Sequence, residues 1–533
     1  AFFSAAGLLS LFHLLRFALG PDFLSFGILT DAAANTVGKW NDLAVFFGAS
    51  ALLSLVTIEL ISLSRFFKTM VSGLLVAALF FLAVINFPPV WFVLGIFSLV
   101  FLVYLISFGE QGAGVPPEPS DLLAAPARVS RRLPLPALCT LLVSVVFMLG
   151  GTTLGAPFSA RLGISQIEAR PNWQATFAVA KQTLIKDPLF GAGPNRFAPE
   201  WLRNKPAGIN ETIFWGVDFQ YGIGLIPTFL ATTGILGALA WVAFFILFLS
   251  AGFGAMLRET TDKLSRYLSA SSFLVAFFLW VFTVVYIPSF TLFALAFLFT
   301  GLFLASLISE RSIPRKTISF IADPRAGFIS VLLLILLLIG GVTLGYLLTQ
   351  KYTASVYFER GVRAFNRDGA VAEAERLIGK AAVVSPLDLY FRFLADISLF
   401  RMNTALAASA PGASADSLRS EFQNLLGAAL GHARQAVVLN QTNYENFMSL
   451  GRVYEAVVPL KIPGAYESAR ASYEQALTLN PRSPALFLTL ARLEAAQGDN
   501  AKAREEIVRA LALKGNYTEA IFFLSQIEAR EGN

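Results

Sequence analysis

Cysteine and histidine are almost missing from this chain: 533 residues hold one cysteine, Cys139, and two histidines, His13 and His432. A single thiol excludes a disulfide framework and a thiolate metal site, and Cys139 sits in an apolar run where a buried, inert thiol is expected. Two imidazoles far apart in sequence leave no histidine-rich metal centre, so no metal and no cofactor is expected. Charge is scarce as well, at 14% of residues, against 56% hydrophobic residues that include 50 phenylalanines. With a mean hydropathy of +0.64, that balance excludes a soluble domain of this length. Glycine-rich segments fall inside apolar runs without the strand that a phosphate loop requires. The net charge of +6 is modest, and no nucleic acid partner is expected.

What is present is a series of apolar windows, each about 20 residues long and so matched to a bilayer core. They fall near 1–19, 42–63, 70–87, 90–108, 137–155, 222–250, 268–286, 289–308 and 328–349. The chain opens at Ala1 inside the first window, and further spans are expected ahead of it. Basic residues collect in alternate connections: Arg65 and Lys68; Arg128, Arg131 and Arg132; Arg258, Lys263 and Arg266; Arg311, Arg315, Lys316 and Arg325. The turns Asn86–Pro89 and Tyr286–Ser289 carry no charge. The positive-inside rule makes the basic loops cytoplasmic. It places 156–221 and everything after 349 on the opposite side of the membrane. The predicted fold is all-α, with a polytopic domain over 1–349 of about nine spans and an α-solenoid over 350–533. Residues 109–136, rich in glycine, proline and alanine, read as a flexible linker with affinity for anionic lipid. His13 and Arg16 share a helical face near the end of the first span. They mark a pathway or site, or else Arg16 snorkels to the interface.

The one long polar interruption of the apolar half, 156–221, mixes many charges with Trp173, Phe177, Phe190, Trp201 and Trp215. Trp173, Phe177, Ala180 and Leu184 recur at helical spacing, which predicts an amphipathic helix along the membrane surface that stops at Asp187-Pro188. Gly191 and Gly193 then permit positive φ or close backbone approach. A second polar stretch, Thr36 to Asp42, leads into the next span, with Asn41 or Asp42 as the expected helix cap. It emerges on the same face, so Lys39 and Trp40 are candidates to line a shared cavity.

Three pieces of sequence resemble the O-antigen ligase and polymerase superfamily of membrane glycosyltransferases. Thr36-x-Gly38-x-x-Asn41-x-x-Ala44 is similar to its Gly/Asn/Ala segment. Arg170-x-x-Trp173, with Pro188-Leu-Phe-Gly191-x-Gly193 and Phe197, looks like its outer-loop signature. Thr232-Thr-Gly234-Ile-Leu-Gly237 resembles its glycine pair. The resemblance implies a metal-independent transfer of a glycan from a polyprenyl diphosphate to an acceptor hydroxyl outside the membrane, with membrane lipid and the lipid-linked glycan as partners. Cations would hold the departing diphosphate. Arg170 occupies the family's arginine position; Arg161, Lys181, Arg196 and Lys39 are further candidates on the same face. One departure stands out, because the family carries a His-Asn couple before the glycine pair and this chain has Ile223-Gly224. Asp218 or Glu211 then supplies the base, the diphosphate is held differently, or the scaffold lacks the activity.

From Lys351 the composition turns to alanine, glutamate and arginine. Ala476 and Ala510, Phe487 and Ile521, and Leu490 and Leu524 are each 34 residues apart, the tetratricopeptide period. An earlier copy fits Phe358, Phe365, Ala374, Ile378, Ala381 and Pro386. Such helical pairs stack into a curved surface that grips a peptide or protein. Two functions follow: a transferase whose repeats recruit an acceptor or partner, or a non-catalytic membrane-anchored scaffold for envelope assembly.

Overall fold

The computed structural model describes residues 1–25, 29, 31–108, 134–162, 164, 168–258, 262–309, 324–407 and 415–532. Most of the expected basic linker 109–136, with Arg128, Arg131 and Arg132, lies outside the described residues, as do Arg311, Arg315 and Lys316. Every regular element among the described residues is helical. The chain divides into two compact units, one made of 1–176, 186–191 and 221–316, the other of 177–185, 192–220 and 317–533.

The first unit is built on α1 (Phe2–Leu19), α2 (Trp40–Leu60), α3 (Arg65–Ile85), α4 (Pro88–Phe108) and α5 (Leu135–Leu162). The start of α6 (Trp173–Lys186) belongs to it, and Asn172 caps that helix by accepting from Ala175 N–H (2.8 Å). Eight helices among the described residues are long and apolar enough to cross a membrane, α1 to α4 among them. The fifth predicted window forms α5, where Cys139, expected to be buried, lies on the exposed face. Helix α2 is the core: its sequence is apolar all round, and neighbours cover it on every side, as a helix without a polar face requires. Gly48 lets this core close up, since a Cβ there would sit 2.6 Å from the Phe278 ring.

Helix α1 turns Ala6, Ser10, His13 and Arg16 inward. Arg16 is buried, and its guanidinium donates to the carbonyls of Pro21, Leu29, Asp31 and Ala34. It organises the polar stretch that follows, so its job is to satisfy backbone that would otherwise lack partners. His13 packs among the rings of Phe12, Trp40 and Phe81.

In the second unit, α7 (Phe197–Asn204) precedes the repeats. The first unit continues with α8 (Leu225–Met256), α9 (Lys263–Val285) and α10 (Phe290–Ser309). Helix α11 (Pro324–Asp368) opens the repeat array. It continues through α12 (Val371–Val384), α13 (Asp388–Ala407), α14 (Ala415–Leu439), α15 (Tyr444–Glu455), α16 (Ala465–Leu479), α17 (Pro484–Gln497), α18 (Asn500–Leu513) and α19 (Thr518–Glu531). The predicted 34-residue equivalents Ala476 and Ala510 are both fully buried, one on α16 and the other on α18. Gly451 lets α15 and α16 touch, because a Cβ there would meet the Tyr473 ring at 2.3 Å. Small residues at these crossings and large ones between them are what stacked pairs need.

Candidate functional site

Two of the sequence pieces singled out above turn out to bind each other. Helix α8 breaks at Gly234, whose φ of 66° and ψ of −163° belong to no helix. The break frees the amides of Ile235 and Leu236, which donate to the carbonyls of Pro188 (2.9 Å) and Leu189 (3.2 Å). Gly191, at φ +66°, faces it: a Cβ there would lie 2.7 Å from Gly234 N, and a Cβ on Gly234 would lie 2.4 Å from the Leu189 carbonyl oxygen. Both glycines are therefore required by close backbone approach. Irregular backbone inside an apolar span is tolerated only when its polar groups are met in this way. At Gly237, the second of the pair, an added Cβ would meet Thr233 of the same helix at 1.9 Å.

The third piece builds the neighbouring corner. The expected cap at Asn41 or Asp42 is corrected: α2 starts at Trp40 with Lys39 as N-cap. Asp42, three residues in, reaches back to the Lys39 N–H (2.7 Å) and also accepts from Ser289 N–H (3.0 Å). A carboxylate inside the first turn that reaches back to the N–H of the N-cap residue is half of a capping box. Gly38 must lack a side chain here, since a Cβ would come within 2.6 Å of Asp42 and Ser289. Asn41 is thereby freed to donate from Nδ2 to Glu168 Oε2 at 2.7 Å.

Around this corner gather the charges. The Arg170 guanidinium carbon lies 5.8 Å and Lys39 Nζ 6.0 Å from the centre of the Tyr286 ring, so two of the predicted cations contact one aromatic ring. Arg170 Nη1 donates to the carbonyls of Val285 and Ile223, tying the loop to the end of α9 and the approach to α8. Its Nε is 3.9 Å from Glu168 Oε1, with about a fifth of each side chain exposed. Lys39 is exposed. Glu168, not singled out as a candidate by sequence reasoning, is a carboxylate of this cluster beside Asp42. The signal available was its position two residues before Arg170. The carbonyl of Ile223, where the resembled family has its histidine, is bound to Arg170.

Arg161 is exposed at the end of α5. Helix α6 forms over the expected run and ends at Lys186, just before Asp187-Pro188; Ala175, Thr176, Val179, Ala180 and Thr183 are its buried face, while Trp173 and Phe177 are 40% and 46% exposed. That face packs closely, since Thr176 lies where a Cβ on Gly222 would be 2.4 Å away. Thr176 Oγ1 accepts from Ile223 N–H at 2.8 Å.

In the second unit the loop segment 192–220 is seated on the turns of the repeats. Tyr444 donates to Asp218 Oδ2 (2.9 Å). Asn210 Nδ2 donates to the carbonyls of Arg482 and Leu513, and Lys514 Nζ donates to the Asn210 carbonyl (2.9 Å). The Trp215 and Tyr517 rings pack at 5.1 Å. Burial pushes the Asp218 carboxyl above its usual range, against the Tyr444 hydrogen bond that pulls it down. Burial lowers the Lys205 ammonium, which donates to the Trp215 carbonyl. Asp218 is thus held by a repeat residue, while Glu211, Lys181 and Arg196 are exposed. Phe197 is buried against Trp201, and Gly193 takes φ +97°. Across α13, α15 and α17 a groove of about 330 Å³ is lined by Arg392, Asp396, Glu445 and Arg452 among others.

Together these features define a helical protein with many apolar spans, a polar corner at the ends of several of them, and a protein-interaction repeat domain. A tetratricopeptide repeat family model matches residues 463–520, from just before α16 to the start of α19. No curated protein matches the chain.

Proposed function

We propose that the chain is a membrane glycan transferase resembling the O-antigen ligases. It moves a polyprenyl-diphosphate-linked glycan to an acceptor outside the cytoplasmic membrane, and its repeat domain, on the same side, binds the acceptor or a partner protein. The observation that carries this reading is the pair of cations, Lys39 and Arg170, over the single ring of Tyr286. Two cations beside one ring suit a diphosphate whose negative charge grows as the sugar leaves. A wholly apolar groove of about 700 Å³ adds support. It runs from Pro88 and Val285 to Met256 and Phe273, and the Val285 carbonyl at one end is the group that Arg170 grips. Such a groove suits an isoprenoid chain.

Binding of undecaprenyl diphosphate to the purified protein tests the reading. Lys39→Ala and Arg170→Lys should each weaken binding about tenfold, roughly 1.4 kcal/mol. Arg170→Lys keeps a cation while removing the planar guanidinium whose Nη1 reaches two carbonyls. Unchanged affinity in both variants would remove the site. The second reading, a non-catalytic scaffold for envelope assembly, is favoured by Ile223-Gly224 standing where the family has its histidine. A protein that binds the lipid and transfers nothing would establish it.

A further inference from the structure

We propose that Glu168 is the general base of this transfer and that Asn41 positions it; the inference rests on the transferase reading above. A hydroxyl acceptor needs a proton acceptor beside the cations that hold the diphosphate. The resembled family offers a histidine, and this chain offers an isoleucine whose carbonyl is already bound to Arg170. Asp218 is engaged by Tyr444. Among the described residues of the first unit, two carboxylates belong to the cation corner, Asp42 and Glu168. Asp42 is fully buried, and each of its oxygens already accepts a backbone N–H.

Glu168 has the opposite properties. One oxygen, Oε2, is fixed by the Asn41 amide at 2.7 Å. The other, Oε1, stands 3.9 Å from Arg170 Nε, close enough to feel the cation and too far for a hydrogen bond. Its lone pairs remain for an incoming hydroxyl, and with 20% of the side chain exposed the group is reachable. In the step, the acceptor oxygen forms a bond to the anomeric carbon while the bond from that carbon to the diphosphate oxygen breaks. The electron pair leaves on the diphosphate, facing Arg170 and Lys39, and the hydroxyl proton passes to Glu168 Oε1. Asn41 acts only through Glu168. Its amide leaves the carboxylate one way to turn, and base placement within hydrogen-bond reach is what makes proton transfer efficient.

The test uses the full chain in lipid nanodiscs. The donor is lipid-linked glycan extracted from the source cells, and the acceptor is an envelope fraction from cells lacking this protein. Glu168→Gln should lower turnover by about 10²–10⁴-fold, with undecaprenyl diphosphate binding and melting temperature unchanged. Glu168→Asp should recover part of the rate, and Asn41→Ala should lower it by an intermediate factor that adds nothing to Glu168→Gln. Turnover in Glu168→Gln within about threefold of the parent would overturn the assignment. So would a loss of lipid binding that accounts for the whole loss of rate, since Glu168 would then merely hold Arg170. If the parent protein transfers nothing, the transferase reading fails first and this inference with it. Should Glu168→Gln not fold, Glu168→Asp and Asn41→Ala carry the same comparison.

Discussion

Replacing Gly234 with alanine should undo the junction between the broken helix and the Pro188–Gly191 turn. The residue sits at φ 66°, ψ −163°, a region that costs a side-chain-bearing residue about 1–3 kcal/mol. Its new Cβ would also lie 2.4 Å from the Leu189 carbonyl oxygen, so the turn must retreat. Retreat breaks the two hydrogen bonds from Ile235 and Leu236 N–H, worth about 1 kcal/mol each and more where no water replaces them. The total is about 3–5 kcal/mol, which for a unit of this size lowers the melting temperature by at least ~6 °C. Thermal melting in detergent reads the shift, and hydrogen exchange of the Ile235 and Leu236 amides locates it. Gly191→Ala should act on the same junction, so the double variant should lose less than the sum. Gly254, also on α8 with nothing within 4 Å of its would-be Cβ, is the control and should tolerate alanine. If Gly234→Ala melts within about 2 °C of the parent and both amides exchange no faster, the account of the break is wrong.

Two other perturbations probe the repeat domain. Tyr444→Phe removes the donor to Asp218 and should loosen the seated loop by about 1–2 kcal/mol, read as faster exchange over residues 205–220. Because burial raises the Asp218 carboxyl, the seated state binds its proton more tightly than the released one. Seating should therefore strengthen as pH falls through the carboxylate range and weaken as pH rises through the raised value. Asp388 behaves oppositely. Burial pushes its carboxyl up, but the amides of Asn443 and Asn446 outweigh that and hold it below its usual range. Its stabilisation is present above the ordinary aspartate range and is lost as pH falls through the lowered value. Asp388→Asn should flatten that acid-side loss of stability, and an unchanged melting profile between neutral and acid pH would sink the assignment.

The sequence by itself determined the elements. Apolar runs of bilayer length, a 34-residue period and glycine, proline and asparagine punctuation are one-dimensional signals, because each reflects a local periodicity or a backbone constraint. It also marked Gly191 as a place for close backbone approach, while Gly38 and Gly234 stood out only through the family resemblance. What the tertiary structure alone decided is who meets whom. Gly191 and Gly234 lie 43 positions apart, and neither reveals that the other is its reason. Asp218 had the right chemistry for a base, yet it is committed to Tyr444, 226 residues later. Asn41 was expected to cap a helix and instead donates to Glu168, 127 residues away, because the helix already starts at Trp40 and leaves Asn41 inside its first turn. Side-chain roles at a site depend on distances across the fold, and those arise only when all the helices have packed.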